Sequence, residues 1–200
     1  MERDPRVCFV GDSFTAGVGD PTARGWAGRL AARTLAGGGL LTWYNLGVRR
    51  NTSADIAERW EDECARRLPD GTERRVVLCF GVNDTVHEDG RPRVAPDASA
   101  ANLARILDRA AGRGWTTLFV GPPPVADPAH NERTALLDER YAALCRDAGV
   151  PHVAVHHALR ASTAWMHEVR TGDGAHPAEA GYDAFADLVE GRWHDWLAAG

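Results

Sequence analysis

The stretch VCFVGDSFTAG, residues 7–17, decides how the chain is read. Val7-Cys8-Phe9-Val10 is a short unbroken apolar run, the pattern of a strand covered on both faces. It breaks into Gly11-Asp12-Ser13, three residues that bury poorly, so the strand ends by delivering a serine to a loop. Four similar runs follow: LLTWYNLG (40–47), RVVLCFG (75–81), TTLFVG (116–121) and HVAV (152–155). Between them the apolar residues recur at helical spacing. Ile56, Trp60, Cys64 and Leu68 share one face, as do Leu103, Ile106, Leu107 and Ala110, then Leu137, Tyr141, Leu144 and Ala148. A last helix is predicted from His176-Pro177, with Phe185, Leu188, Val189, Trp193 and Trp196 turned inward.

Strands alternating with helices require right-handed crossovers, hence a parallel sheet with helices on both faces. The expectation is an α/β fold, a three-layer α/β/α sandwich around a five-stranded parallel sheet, formed by residues 1–200 as one domain. Residues 71–74 and 87–97 read as connections within it, and the loop at 86–97 could cover the site. Ligands of such sheets bind beyond the carboxyl ends of the strands, so the residues that follow each strand carry the functional information.

Composition narrows the classes. A net charge of −5 argues against nucleic-acid binding, and no apolar stretch approaches the length of a membrane span. The charged start MERDPR runs directly into the first strand and does not resemble a secretory signal, which points to a cytoplasmic protein. Cys8, Cys64, Cys79 and Cys145 form no CxxC pair and read as buried thiols in a reducing compartment. All 23 basic residues are arginine, which excludes lysine Schiff bases and the GK[ST] phosphate loop.

The segments after the strands are GDSFTAG, NLGVRRNTSADI, GVNDT and GPPPV, and TGDGAHPAEAG precedes the last helix. A serine hydroxyl needs a base to take its proton, and the base needs a partner to fix its tautomer. Ser13 supplies the hydroxyl, His176 the base, and Asp173, three residues earlier, the orienting carboxylate. Donors for a tetrahedral oxyanion would be Ser13 N–H, Gly47 N–H and the Asn83 side chain, from the ends of three strands. Gly47 suits the role because a residue without Cβ allows close approach of substrate. Asp12 reads as a structural residue that bonds loop amides. Taken singly, each of these residues is an ordinary turn or cap residue; their joint occurrence at strand ends is what points to catalysis.

In GDSFTAG, NLGVRRNTSADI, GVNDT and DGAHP, in that order, the chain resembles the SGNH/GDSL hydrolases, and GW (25–26) and GPPPV (121–125) also fit. The resemblance implies a flavodoxin-like three-layer fold and hydrolysis of esters or thioesters through an acyl-enzyme. It places Ser13 as nucleophile, Ser13, Gly47 and Asn83 in the oxyanion hole, and Asp173 and His176 in the triad. Arg49-Arg50 stand where small residues are common in that family, a departure that bears on substrate preference.

Phe14, Val48 and Val125 are candidates for an acyl pocket. Arg49 and Arg50 could clamp a substrate carboxylate or phosphate, or belong to a solvated loop. The expected partner is a small-molecule acyl ester, with no nucleic acid and no membrane. No cofactor is expected, and no metal, because His156-His157 and the other histidines lack ligand spacing. Carbohydrate O-acetylesterase, lysophospholipase-like and acyltransferase variants share the acyl-enzyme and stay open. A phosphate- or nucleotide-binding α/β protein is the competing class, and it lacks both GxGxxG and GxxxxGK[ST].

Overall fold

The computed structural model describes residues 3–199. Five parallel strands form the sheet in the order β2-β1-β3-β6-β7: β1 is Pro5–Gly11, β2 Thr42–Gly47, β3 Glu73–Cys79, β6 Thr116–Val120 and β7 His152–Val153. Counted within this sheet alone the order is 2-1-3-4-5, the flavodoxin-like order, whose direction of winding reverses between β1 and β3. The two-residue strands β4 (His87–Glu88) and β5 (Arg91–Pro92) pair as a hairpin inside the connection after β3.

Helices cover both faces. On one side lie α2 (Gly25–Ala36), α6 (His156–Ala161), α7 (Thr163–Thr171) and α8 (Glu179–Ala198). On the other lie α3 (Ser53–Ala65), α4 (Pro96–Gly112) and α5 (Pro128–Asp147). Alternate residues of β1 feed the two cores: Val7 and Phe9 pack with Trp26, Phe185 and Trp193, while Cys8 and Val10 pack with Ile56, Trp60 and Leu103. This is the period-two alternation of a strand whose faces are both apolar, which is why the sequence shows a continuous run. The fold class matches the expectation. A one-turn helix, α1 (Ser13–Ala16), follows β1 directly.

The helices begin where local chemistry satisfies their free N–H groups. Thr52 and Asp55 form a capping box on α3, with the Thr52 N–H to Asp55 Oδ2 bond at 2.8 Å. Asp127 Oδ1 takes the Ala129 N–H at 2.8 Å, and Pro128 opens α5.

Several element boundaries differ from expectation. The last helix starts at Glu179, so His176 and Pro177 precede it; Ala178 has φ −100 and ψ −145, outside the helical region. Leu188 is exposed rather than inward. On α5 the buried face runs through Leu137, Tyr141 and Cys145, with Leu144 half-buried and Ala148 exposed past the helix end. All four cysteines are buried thiols. No helix among the described residues is long and apolar enough to cross a membrane.

Candidate active site

The end of β1 is shaped by close packing. A Cβ on Gly11 would lie 2.1 Å from the Cys79 carbonyl oxygen, so only glycine lets the strand turn there beside β3. Asp12 then caps α1, its Oδ1 taking the Phe14 N–H at 3.0 Å. Its Oδ2 accepts from Asn83 Nδ2 at 3.3 Å, which ties the loop after β1 to the loop after β3. Burial pushes the Asp12 carboxyl up to about 7; nearby Asp84 adds to the rise, while the Phe14 and Asn83 donors oppose it. Asp12 thus bonds an amide of its own loop and joins it to the loop after β3.

Ser13 comes next, as the first residue of α1, and it faces the loop between α7 and α8. Its Oγ lies 2.7 Å from His176 Nε2, and His176 Nδ1 lies 2.7 Å from Asp173 Oδ2. The other Asp173 oxygen accepts the N–H groups of Ala175 (2.9 Å) and His176 (2.8 Å). These donors and the imidazole hold the Asp173 carboxyl down at about 2, against a desolvation that raises it. The imidazole is largely buried and packs at 4.9 Å, ring centre to ring centre, against Phe14. A hydroxyl, an imidazole and a carboxylate from opposite ends of the chain thus form one hydrogen-bonded line at the point where the sheet's winding reverses.

The cavity above this line has a volume of about 430 Å³. Phe14, Val82, Val86 and Val125 supply its apolar wall, and Asn83, Arg49, Arg50, Asp127 and His130 its polar one. Of the residues singled out from the sequence as candidates for contact with substrate, Phe14, Val125, Arg49 and Arg50 line this cavity. Val48 does not line the cavity; it is 41% exposed at the foot of the turn after β2.

Gly47 is also elsewhere. Its N–H donates to Asn45 Oδ1 at 2.9 Å, and a Cβ on it would lie 2.2 Å from the Ala16 nitrogen. The close approach that needs this glycine is to the backbone of α1, and the expected oxyanion role is corrected on that ground. The left-handed position of the segment falls instead on Arg50, at φ 69, on the cavity wall. Among the described residues its N–H donates to no protein group. Asn83 keeps its place on the wall, with Nδ2 also donating to Asn51 O at 3.0 Å.

Two further residues, His130 on the cavity wall and Glu168 behind the His176 loop, escape a reading of the sequence. His130, in the first turn of α5, has Nε2 2.9 Å from Val82 O and 3.0 Å from Thr85 Oγ1, and burial pushes its imidazole below the ordinary range. The only sequence sign of it is its place just after the Asp127-Pro128 helix start that follows β6. Glu168 of α7 takes the N–H groups of Ala178, Ala180 and Gly181 at the start of α8. A carboxylate thus occupies the helix N-terminus where the sequence suggested His176. Among the described residues no group of three or more His, Cys, Asp or Glu side chains is arranged to hold a metal ion.

Known proteins resemble this chain over nearly its whole length. Residues 9–184 match the GDSL-like lipase/acylhydrolase family. Esterase TesA of Pseudomonas aeruginosa is 28% identical over 189 residues, which span 94% of this chain and 85% of that protein. A crystal structure of TesA superposes with a TM-score of 0.76 at 23% identity, covering 96% of this chain and 99% of that one. The lipase/acylhydrolase of Enterococcus faecalis gives a TM-score of 0.75 at 20% identity, over 94% and 96% of the two chains. The chain belongs to the GDSL-like lipase/acylhydrolase family and is a serine hydrolase of ester bonds.

Proposed function

We propose that the protein hydrolyses small acyl esters through a Ser13 acyl-enzyme, with His176 as general base and Asp173 as its orienting carboxylate. The observation that carries this reading is the pair of 2.7 Å contacts from Ser13 Oγ to His176 Nε2 and from His176 Nδ1 to Asp173 Oδ2. Asp173 accepts the Nδ1 proton, which leaves the Nε2 lone pair facing the serine hydroxyl. As Oγ attacks the carbonyl carbon, its proton passes to Nε2, and the Asp173 carboxylate stabilises the imidazolium. Collapse of the tetrahedral intermediate breaks the bond to the leaving group, which takes that proton. Water then repeats the sequence on the acyl-enzyme and frees the acid.

The oxyanion needs donors that are already in place. Ser13 N–H, Arg50 N–H and Asn83 Nδ2 fit: Arg50 presents an unengaged amide in the cavity wall, and the 3.3 Å contact of Asn83 with Asp12 is the longer of its two, the one a substrate oxygen would displace. Phe14, Val82, Val86 and Val125 bound a slot for a short acyl chain.

Ser13→Ala tests the reading. The variant is expected to keep its fold by circular dichroism and to lose turnover of 4-nitrophenyl acetate and labelling by an activated phosphonate. Wild-type turnover in the pure, folded variant would exclude Ser13 as nucleophile.

A further inference from the structure

Arg49 and Arg50 are the two arginines on the cavity wall, and both belong to the turn that follows β2. The turn is braced. Val48 N–H donates to Gly11 O at 3.0 Å, Asn51 N–H to Val48 O at 3.2 Å, and Arg59 Nε to Asn51 Oδ1 at 2.7 Å. Arg50 is answered within the protein: its guanidinium lies 3.4 Å from Glu88 of the β4–β5 hairpin, and its carbonyl accepts Arg93 Nη1 at 3.1 Å. Arg49 is not. Among the described residues its guanidinium has no ion-pair or hydrogen-bond partner, although it stands on the wall of the Ser13 cavity.

The carboxylates of the same wall do not neutralise it. Asp173 is bonded to His176 and Ala175. Asp127 caps α5, its Oδ1 accepting the Ala129 N–H at 2.8 Å and the His130 N–H at 3.3 Å. The side of the cavity that follows β2 thus carries two guanidinium groups, one of them without a partner among the described residues, and is its positive end. Ser13, after β1, lies one strand from the positive end.

We propose that the β2 end of the cavity is an anion subsite with Arg49 as its cation, and that the favoured esters carry a carboxylate or phosphate a few bonds from the scissile carbonyl. This rests on the assignment of Ser13 as nucleophile. A guanidinium takes both oxygens of such a group in one plane, and Arg49, exposed on the cavity wall, has its donors free for it. The net charge of −5 on the whole chain repels anions, so affinity for them must come from a local feature of this kind.

The anion can sit on the acyl side or on the leaving group, and two substrate pairs separate these. Methyl hemisuccinate is compared with methyl butyrate, and 3-acetoxybenzoate with phenyl acetate, by proton release at constant pH. The expected result is a kcat/KM ratio favouring the anionic member of at least one pair by about 10-fold or more. Arg49→Gln lowers that ratio by about 10-fold, Arg49→Lys restores part of it, and about 0.5 M NaCl weakens it. Arg192→Gln, on the exposed face of α8, makes the same change in net charge and keeps the wild-type ratio. Preference for the neutral ester in both pairs, or a ratio unmoved by Arg49→Gln, overturns the subsite. Persistence of all four activities in Ser13→Ala overturns the nucleophile instead.

Discussion

Glu168 accepts the Gly181 N–H at 2.6 Å, joining α7 to the first turn of α8 across the loop that carries Asp173 and His176. The same carboxylate takes Ala178 N–H at 3.0 Å and Ala180 N–H at 3.2 Å. Since α8 has no cap from its own Ala178 side chain, Glu168 provides one from a neighbouring helix. His176 lies two residues before the first of these bonds. Glu168→Ala frees both that helix end and the loop. A loss of about 1–2 kcal/mol is expected, a fall in Tm of about 2–8 °C, with kcat reduced more than KM is raised. Glu168→Gln keeps one acceptor oxygen and should recover part of both. Thermal melts and steady-state kinetics on one neutral ester check this; an unchanged kcat in a destabilised Glu168→Ala would limit the residue to a cap.

Asp173→Asn leaves the shape of the loop but reverses the demand on the imidazole. The new amide donates where the carboxylate accepted, so Nε2 carries the proton and cannot take one from Ser13. A fall in kcat of about 10³–10⁴ is expected, with little change in KM. The Asp173 carboxyl is held at about 2, below its ordinary range. Its contribution to stability is thus present above about pH 4 and lost as pH falls toward 2. Its protonation does not shape activity near neutrality. A loss smaller than about tenfold in Asp173→Asn would remove the carboxylate from the mechanism.

What the sequence shows clearly is what periodicity and chain order determine. β1, β3 and β6 are continuous apolar runs because each is covered twice, and Ser13 and His176 are legible because they end or precede such elements. Where a residue type answers two different needs, the sequence is silent. Gly47 and a substrate-facing glycine look alike, since a missing Cβ allows close approach of a ligand or of the Ala16 backbone. Arg50 gives no sign of its left-handed conformation, which is imposed by the braced turn around it. His176-Pro177 resembles a helix start, but the cap comes from Glu168 on the preceding helix, outside the local window in which caps are read.

Asp12 makes stability depend on pH in the opposite sense to Asp173. Its folded carboxyl is raised to about 7 by burial, while in the unfolded chain it titrates near its ordinary value of 3.8. Between about pH 4 and 7 the native state keeps a proton that the unfolded state has released, so this group lowers stability as pH rises through that window. Asp84 is shifted in the same direction by its burial. Asp12→Asn keeps an oxygen for the Phe14 N–H and removes the charge. Urea midpoints between about pH 4.5 and 7.5 should fall less steeply with pH than in the wild type, with some slope left from Asp84. An identical slope in the two proteins would show that Asp12 titrates elsewhere.

Arg50 tests the strain stored in the wall of the cavity. A residue with a Cβ at φ 69 costs about 1–2 kcal/mol relative to glycine, and the exposed pair with Glu88 returns less than that. Arg50→Gly should therefore raise the Tm by about 1–4 °C, even though it removes an ion pair. Arg50→Val keeps the Cβ and adds branching, which disfavours the left-handed region further, and should lower the Tm by a comparable amount. The two shifts have opposite signs only if the backbone at residue 50 is held left-handed in solution. Melting curves of the two variants beside the wild type read this directly, and a fall in Tm for Arg50→Gly would mean that the Glu88 pair outweighs the strain.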